Sequence, residues 1–500
     1  MARSREILVP RDRRAGTSSL LWDTFHSRTG GLGEQVAVQA SGAELGFGAL
    51  WKDAERLALL FLEAGVRESR VAGLAVGNSG PFLAAFLALC RLDATVALLP
   101  PQYGRSELTA IASGVGLSSI VADAEVAPGV AAAIPIARAS AANGFQVLVP
   151  AATGDTDVQE PEAILKFSSG STAEPKGIAL TAENVISEVE NVTTTLSLGR
   201  GDRVLAGVPL FHSYGFDLGV LPTLYSGATL LLEDTFVPRR TLGTLADGVA
   251  AFLGVPAHYR AFLGTRTTSV PDLSAVRWLL SCTAPLAAET VTEFLDRFGV
   301  PVCQHYGSSE TGAVTTHLSS EVRGRPASVG RPMAGVEVTV EEDWDAVPPG
   351  AEGEIVVESG AVARRYVLGT PPGPSPLRNG VFRTGDVGHM DSEGFLTLIG
   401  RRDAMINVGG LKVSPAEVTA ILERHSAVRE AAVLGIPDGR GEEVVYAAVA
   451  LSRSVGEDEL LAFCRGALAE YKVPRRIEIR DTLPRTATGK VRLGVEDVDR

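Results

Sequence analysis

A short hydroxyl-rich segment that ends on a lysine, FSSGSTAEPKG at residues 167–177, has the composition of a phosphate-binding loop. Glycines let backbone N–H groups approach an anion, hydroxyls donate further hydrogen bonds, and a lysine adds a point charge. The alternative is a solvated Ser/Gly linker. The segment is not a Walker A loop, because Pro175 and Gly177 flank Lys176 where that pattern has a glycine and a Ser or Thr.

The elements around this loop argue against a free linker. Residues 163–167 are predicted to form a short strand, residues 178–180 a second apolar segment, and a helix is predicted to begin near Thr181. Helical and strand patterns alternate over residues 47–120 and 204–232, which predicts parallel α/β layers. The Ala/Gly-rich stretch 124–144 is expected to be a loose connection between subdomains.

The second half of the chain has a different pattern. Short strands with turns over residues 325–400 predict a small β subdomain. Beyond residue 400, helices at 415–425 and 458–468 and strands at 428–435 and 443–451 predict a compact α+β tail. The predicted fold class is therefore α/β: a large N-terminal domain of layered α/β subdomains with a small β subdomain, followed by a small α+β domain.

Composition excludes several classes of function. The 500 residues carry a net charge of −13, which argues against a nucleic-acid-binding surface. No apolar run reaches the roughly 18 residues that span a bilayer, so no membrane span is predicted. Four scattered cysteines indicate a reducing cytoplasm and no structural zinc. Six of the 46 basic residues are lysines, so each lysine is a candidate for a site that needs a compact ammonium on a flexible stem.

Seven motifs carry a resemblance to a known family. They are FSSGSTAEPKG, PLFHSYGF (209–216), QHYGSSETG (304–312), SVGRP (328–332), FRTGD (382–386), GRRDAMINVGGLKVSPAEV (400–418) and PRTATGK (484–490). Together they resemble the adenylate-forming superfamily of acyl-CoA synthetases, peptide-synthetase adenylation domains and luciferases, over about residues 20–495. The resemblance implies that ATP and a carboxylic acid form an acyl-AMP and pyrophosphate, a task of positioning and charge neutralisation.

The resemblance implies a set of nucleotide contacts. The phosphate loop would close over the β- and γ-phosphates of ATP, although Ala173 stands where the family usually has a glycine. Glu310 offers a carboxylate suited to Mg²⁺; taken alone, its motif is an ordinary strand and turn. The implied ATP contacts are Ser168, Ser169, Gly170, Ser171, Thr172 and Lys176 for the phosphates, Ser309 for the α-phosphate, Tyr306 and Gly307 for adenine, Asp386 for ribose, and Arg401 beside the hinge.

The resemblance also implies a moving C-terminal domain. Lys490 would bridge the carboxylate and the α-phosphate during adenylation; without the motif it is a solvated tail lysine. The implied division is an N-terminal domain over residues 1–400, a hinge over 401–403 around Asp403, and a mobile lid over 404–500. Gly409 and Gly410 would line the path of the incoming thiol, and Lys412 fits the basic position of that segment.

Four residues bear on the acid that is activated. His212 corresponds to the aromatic gate near the carboxylate, with a buried core histidine as the alternative. Ser213 stands where members that activate amino acids place an Asp, so an α-ammonium would lack a countercharge. Cys282 and Thr283 stand where many relatives have glycines, and their side chains should narrow the space near the acyl chain; Gly307 is also expected to contact the substrate. A compact aryl or short acyl acid is therefore expected.

The identity of the acceptor stays open at the level of sequence. No carrier domain follows Lys490, so the thiol is expected to come from outside: CoA, or the phosphopantetheine of a separate carrier protein. A regulatory nucleotide-binding protein without catalysis is a remote alternative that Lys490, Glu310 and Asp386 argue against, and luciferase-like oxygenation is not excluded by motif. The expected partners are thus a small carboxylic acid and a thiol donor, and a homodimer is compatible with the resemblance.

Overall fold

The computed structural model describes residues 17–40, 42–151, 162–169, 175–266, 270–370, 375–408, 411–437, 443–485, 491 and 493–498. Within these ranges, two large mixed sheets and their helices form the main body. A smaller β sheet and a C-terminal α+β unit complete the chain. The predicted fold class is confirmed.

The sheet that carries the phosphate-loop segment has eight strands in the described part of the chain. Its four central strands pair in parallel and are mainly apolar, as expected for strands covered on both faces. The outer strands pair antiparallel. In spatial order the strands are Arg365–Leu368, Pro175–Leu180, Ile164–Ser169, Thr95–Leu98, Val71–Ala75, Ser119–Asp123, Phe145–Pro150 and Ile136–Ala142.

The second large sheet has nine strands, counted over the described ranges. Its six central strands are parallel, and the strands at both edges pair antiparallel. The spatial order is Arg331–Pro332, Gly312–Thr316, Val302–Ser308, Trp278–Ser281, Ala251–Gly254, Arg203–Ala206, Thr229–Leu232, Val36–Ala40 and Ala43–Gly46.

Helices connect and cover these sheets. Helix Gly80–Arg91 is buried from Phe82 to Cys90 and lies in the main hydrophobic core. No helix of the described residues is apolar over a length that would cross a membrane. The other helices of the main body are Ser18–Thr29, Phe47–Ala64, Arg105–Gly114, Ala127–Ala133, Ala182–Leu196, Ser213–Gly215, the π-helical turn Phe216–Val220, Leu221–Ser226, Pro238–Ala246, Pro256–Gly264, Ala288–Phe298 and the 3₁₀ turn Val322–Gly324.

The expectation of a loose connection over residues 124–144 is wrong. The segment forms the helix Ala127–Ala133 and the strand Ile136–Ala142, which pairs antiparallel with Phe145–Pro150. Ala127, Val130 and Ala142 are buried. Small apolar side chains pack here against the sheet edge, and tertiary packing overrides the weak local signal of an Ala/Gly-rich sequence.

The predicted β subdomain is present. It contains the strands Asp345–Ala346, Val336–Glu342, Glu352–Ser359, Val381–Met390, Leu377–Arg378 and Leu396–Arg401. The strand Arg365–Leu368, although it belongs to this part of the chain, pairs with Pro175–Leu180 of the eight-stranded sheet. This pairing places Tyr366 opposite Ile178, near the base of the phosphate loop.

The C-terminal unit has its own core of Ile406, Val418, Val445 and their neighbours. A 3₁₀ turn at Arg402–Ala404 leads into it, at the position predicted for the hinge; the hinge itself and the domain limits stay predictions. The elements are the hairpin Ile406–Val408 and Leu411–Val413, the sheet Val428–Pro437, Glu443–Leu451 and Arg476–Arg480, the helices Pro415–Glu423 and Glu457–Ala467, and the short turns Glu470–Lys472 and Val495–Asp497.

Candidate active site

The phosphate-loop segment begins and ends in a β-hairpin. Strand Ile164–Ser169 pairs antiparallel with Pro175–Leu180, and Ser168 lies opposite Lys176 in this register. The next helix, Ala182–Leu196, begins after Thr181, whose hydroxyl accepts a hydrogen bond from the Asn184 N–H at 3.3 Å. Ser169 closes the hairpin by pairing with Pro175. The predicted contacts Gly170, Ser171 and Thr172 lie outside the described residues.

The SSETG segment forms a tight turn between the strands Val302–Ser308 and Gly312–Thr316. Glycine is required at position 307, because a Cβ there would lie 2.3 Å from the carbonyl oxygen of Gly312. The Ser308 hydroxyl lies 3.0 Å from that of Thr311 and accepts the Glu310 N–H at 3.2 Å. These bonds fix the turn that presents Ser309 and Glu310.

Tyr366 holds the carboxylate of Glu310 in one orientation. Its hydroxyl donates to Glu310 Oε1 at 2.9 Å. Tyr366 comes from the strand Arg365–Leu368, far from the SSETG segment in sequence, so sequence analysis missed it. The aromatic residue in the ARRYVLG segment gave no motif that could have revealed the contact.

Tyr306, Asp386 and Arg401 form a connected network. The Tyr306 hydroxyl donates to Asp386 Oδ2 at 2.5 Å, and Arg401 Nη1 lies 3.5 Å from Asp386 Oδ1. Burial raises the pKa of Asp386, while the bond from Tyr306 and the charge of Arg401 oppose that shift. The structure thus brings together three predicted nucleotide contacts that are 80 and 15 residues apart in sequence.

Arg401 also links this network to the predicted hinge. Its Nε donates to Asp403 Oδ1 at 2.8 Å and its Nη2 to Oδ2 at 3.2 Å. The bond from Arg401 lowers the pKa of Asp403, with a smaller contribution from Lys176. These two bonds fix the Arg401 guanidinium between Asp386 and the predicted hinge residue Asp403.

Ser213 and Ser309 meet between the acid motif and the phosphate motif. Their hydroxyl oxygens are 2.9 Å apart, although the residues are 96 positions apart in sequence. Ser213 begins the helical turn Ser213–Gly215, where His212 Nδ1 accepts the Tyr214 N–H at 3.3 Å. His212 is half-buried and caps this turn, so the predicted gate residue has a defined orientation.

Tyr214, the residue after Ser213, packs against a second aromatic ring. The rings of Tyr214 and His305 stack with centroids 5.8 Å apart. Burial lowers the pKa of His305 to about 4 and raises that of Tyr214. Both rings are therefore uncharged at neutral pH and give an ammonium group no countercharge.

Thr283 has a strained backbone. Its φ is +76°, in the left-handed region that β-branched residues rarely adopt. It follows buried Cys282, whose N–H donates to the Gly254 carbonyl at 3.4 Å. The resemblance predicts a glycine at this position. The backbone of Thr283 has a conformation that glycine adopts without cost.

The predicted thiol-path residues are divided between described and undescribed parts of the chain. Lys412 is exposed on the strand Leu411–Val413, opposite Asn407. Gly409, Gly410 and Lys490 lie outside the described residues. The structure therefore brings together the nucleotide and acid motifs of the main body, while the C-terminal roles rest on the family resemblance.

The structure thus brings together Tyr306, Asp386 and Arg401, and places Ser213 beside Ser309, as the resemblance to adenylate-forming enzymes leads one to expect. The AMP-binding enzyme family matches residues 25–367, and the AMP-binding enzyme C-terminal domain matches residues 417–490. The chain belongs to this family, as the sequence motifs predicted.

Curated relatives include CoA ligases. The chain is 34% identical over 475 residues to a feruloyl-CoA synthase from Amycolatopsis, covering 92% of this chain and 94% of the relative. It is 31% identical over 461 residues to a 2-succinylbenzoate–CoA ligase from Geobacillus kaustophilus, covering 92% and 94%.

Solved structures of similar fold include two acyl-adenylate complexes. The o-succinylbenzoate CoA synthetase of Bacillus subtilis, bound to its acyl-adenylate intermediate, matches with a TM-score of 0.81 at 25% identity over 94% of this chain and 96% of that one. The anthranilate CoA ligase AuaEII, bound to anthranoyl-AMP, matches with a TM-score of 0.80 at 25% identity over 95% of each chain. The CoA-ligase assignment made from sequence is supported by these relatives.

Proposed function

We propose that the protein activates a carboxylic acid with ATP, forming an acyl-AMP and releasing pyrophosphate, and then transfers the acyl group to the thiol of CoA. The observation that carries this proposal is the 2.9 Å contact between Ser213 and Ser309. It joins the segment expected to hold the acid to the segment expected to hold the α-phosphate. The two reacting groups would meet there, and holding them in contact is a large part of catalysis.

On the phosphate side, the chain supplies hydroxyls, a lysine and a carboxylate. Ser168 and Lys176, opposite each other at the base of the loop, would contact the β- and γ-phosphates together with Ser169, Gly170, Ser171 and Thr172. Glu310, oriented by Tyr366, is a single hard oxygen ligand of the kind that Mg²⁺ uses beside phosphates. Mg²⁺ would neutralise charge that develops on the phosphate oxygens.

On the nucleoside side, Asp386 would accept hydrogen bonds from the ribose hydroxyls, with Arg401 as the neighbouring contact. Tyr306 donates to Asp386 and so orients the carboxylate. The ring of Tyr306 and the backbone of Gly307 would lie against adenine. The hydrogen bonds of this network orient Asp386 and Arg401, which favours binding because fewer groups must be ordered when ATP arrives.

The second half-reaction would use the C-terminal unit. Lys490 would neutralise the carboxylate and α-phosphate during adenylation. Rotation at Asp403 would then replace it with the segment that contains Gly409, Gly410 and Lys412, along which the thiol would enter. The exposed 3₁₀ turn Arg402–Ala404 supports this role, because short turns between elements absorb changes in backbone angles.

The acid is proposed to be a compact aryl or short acyl acid. Ser213 and the uncharged rings of Tyr214 and His305 leave an α-ammonium unpaired, a cost of several kcal/mol. Cys282 and Thr283 shorten the acyl site, and overfilling a packed site costs roughly 1–3 kcal/mol. Feruloyl, succinylbenzoyl and anthranoyl groups in the names of similar proteins agree with an aryl acid.

A pyrophosphate-release assay tests the function and the substrate class together. The panel contains benzoate-like acids, short-chain acids, palmitate and amino acids, each assayed with and without CoA. We expect release to depend on a benzoate-like or short acid, and CoA to yield a thioester. A higher kcat/KM for a C12–C16 fatty acid would contradict the narrow-pocket account. If a thioester forms on a carrier protein but not on CoA, the acceptor is the carrier protein and not CoA.

A further inference from the structure

Three ionisable side chains are buried close to the candidate active site. Lys166, Asp217 and Glu188 are 4%, 2% and 2% exposed. The Lys166 ammonium donates to both oxygens of Asp217, at 2.6 Å and 2.7 Å. We name these three residues the buried charge cluster. Charged groups are rarely buried this completely unless they are paired, so the unpaired member, Glu188, calls for an explanation.

Each member belongs to a different element of the main body. Lys166 lies on strand Ile164–Ser169, two residues before Ser168. Asp217 lies in the π-helical turn Phe216–Val220, which continues the helical turn of Ser213. Glu188 lies on helix Ala182–Leu196, which follows the phosphate loop. The cluster therefore connects the base of the phosphate loop to the acid motif from inside the protein.

Glu188 reaches the SSETG turn from behind. Its Oε1 accepts the Ala313 N–H at 2.9 Å. A Cβ at Gly312, whose φ is +67°, would lie 2.1 Å from Glu188 Oε2, so glycine at 312 leaves room for the carboxyl group. Within the described residues, Oε2 has no hydrogen-bond partner. Glu188 thus contacts the backbone immediately after Glu310 and Thr311.

We propose that Glu188 is a positioning residue that holds the turn carrying Ser309 and Glu310, and that the Lys166–Asp217 pair aligns the phosphate-loop strand with the helical turn carrying Ser213. This inference rests on the proposed function, because it assigns to the cluster the alignment of ATP-binding segments. None of the three residues is expected to touch substrate.

The charge state of Glu188 gives this arrangement a pH signature. Burial raises the pKa of Glu188 to about 8, and the nearby Asp217 carboxylate adds to the shift, while Lys166 and the Ala313 N–H oppose it. The charged groups that act on Glu188 are Lys166, on the strand Ile164–Ser169, and Asp217, in the turn Phe216–Val220. The strand Gly312–Thr316 contacts Glu188 through the backbone N–H of Ala313. Ionisation above about pH 8 would place a second buried negative charge beside Asp217.

The test compares E188Q and E188A with the wild-type chain by calorimetric ATP binding from pH 6 to 9.5. E188Q keeps an oxygen that can accept the Ala313 N–H but does not ionise, whereas E188A removes the acceptor. E190Q is the matched control, because Glu190 lies on the same helix and is exposed, with the Tyr225 hydroxyl donating to it at 2.7 Å.

We expect wild-type and E190Q proteins to lose ATP affinity about tenfold as the pH rises through 8, and E188Q to change less than twofold. At pH 7, E188A should bind ATP at least about tenfold more weakly than E188Q. If E188Q loses as much ATP affinity at alkaline pH as the wild type, the proposal is overturned, even if E188A does not fold. The proposal is also overturned if a folded E188A binds ATP as tightly as E188Q at pH 7. ATP binding needs no acid substrate. A protein that binds ATP but activates no acid would therefore contradict the proposed function and leave the role of Glu188 intact.

Discussion

The contacts within the candidate ATP site differ in kind from the contacts that join the C-terminal unit to the main body. Tyr306 is buried and donates a hydrogen bond to the half-buried Asp386. Between the main body and the C-terminal unit, the described contacts include the ion pairs Arg260–Glu423 at 3.4 Å and Arg424–Glu289 at 3.2 Å, both partly exposed.

The difference between these contacts has a physical consequence. Buried, satisfied hydrogen-bond networks make a site rigid, because an unpaired member would be costly. Exposed ion pairs contribute about 0–1 kcal/mol each and are easily exchanged for water. The Ser414 hydroxyl, which donates to the Ile399 carbonyl at 2.6 Å, is the more persistent link, and it lies beside the predicted hinge. A rigid ATP site and a loosely held second unit suit a two-step reaction with rotation between steps.

The largest expected effect comes from removing the lysine that the mobile unit would supply. We expect Lys490→Ala to lower the adenylation rate by about 10²–10³, the loss expected for one electrostatic contact in the transition state. Thioester formation from supplied acyl-AMP should persist, because that step would not use this lysine. Pyrophosphate release and thioester formation are measured separately.

The control for this variant is Lys472→Ala. Lys472 belongs to the same C-terminal unit but pairs with Glu417 at 2.7 Å, so its loss should leave adenylation within about twofold. Equal loss of both half-reactions in Lys490→Ala would contradict its assignment to the first step.

Blocking the rotation is expected to have the next largest effect. Asp403→Pro fixes a backbone angle in the turn Arg402–Ala404. We expect thioester formation to fall at least about tenfold, as expected for a blocked conformational step, while acid-dependent pyrophosphate release continues. Asp403→Ala separates the backbone effect from loss of the bonds with Arg401. If Asp403→Pro abolishes pyrophosphate release instead, the turn is not the hinge.

The acid pocket should respond more moderately. Replacing Cys282 and Thr283 by glycine enlarges the acyl site, and we expect the ratio of kcat/KM for longer acids to shorter ones to rise about tenfold, corresponding to 1.4 kcal/mol. The measurement is a side-by-side series of acids of increasing length. An unchanged ratio would show that other residues set the limit.

Thr283 alone permits a stability measurement. Its left-handed backbone costs roughly 1–2 kcal/mol for a residue with a Cβ, so Thr283→Gly should leave the free energy of unfolding unchanged or raised. Thr292→Gly, in the helix Ala288–Phe298, is the matched control and should cost roughly 0.3–0.5 kcal/mol. Equal destabilisation of both variants by denaturant titration would contradict strain at Thr283.

The smallest effect is expected at the contact between the two units. Arg260→Ala breaks the ion pair with Glu423, and we expect less than about 1 kcal/mol of lost stability and little change in either half-reaction. Denaturant unfolding measures the stability. A loss above about 2 kcal/mol would show that the interface is firmer than its exposed contacts indicate.

The sequence predicted those features that local patterns encode. Helix Gly80–Arg91 and the strand Thr229–Leu232 follow from apolar runs and spacing, and the motifs predicted the family to which the chain belongs. The strand Ile136–Ala142 was missed because alanine-rich sequence has weak strand propensity and only packing fixes it.

Long-range contacts could not be predicted in the same way. The bond between Tyr366 and Glu310 depends on a strand that joins a distant sheet. The buried charge cluster left a faint signal, because Lys166 and Asp217 interrupt the apolar runs ILKF and FDLGVL. Sequence alone does not show that these two charges meet, or that Glu188 is buried beside them.

The central claim is tested most directly by a single turnover with enzyme in excess over a benzoate-like acid and ATP, first without thiol and then with CoA. Before CoA is added, mass spectrometry should find acyl-AMP on the enzyme, and the amount of pyrophosphate formed should equal the amount of acyl-AMP. After CoA is added, acyl-AMP should disappear as acyl-CoA and AMP form together. Release of ADP and phosphate, or formation of acyl-CoA with no AMP, would contradict an adenylate-forming ligase.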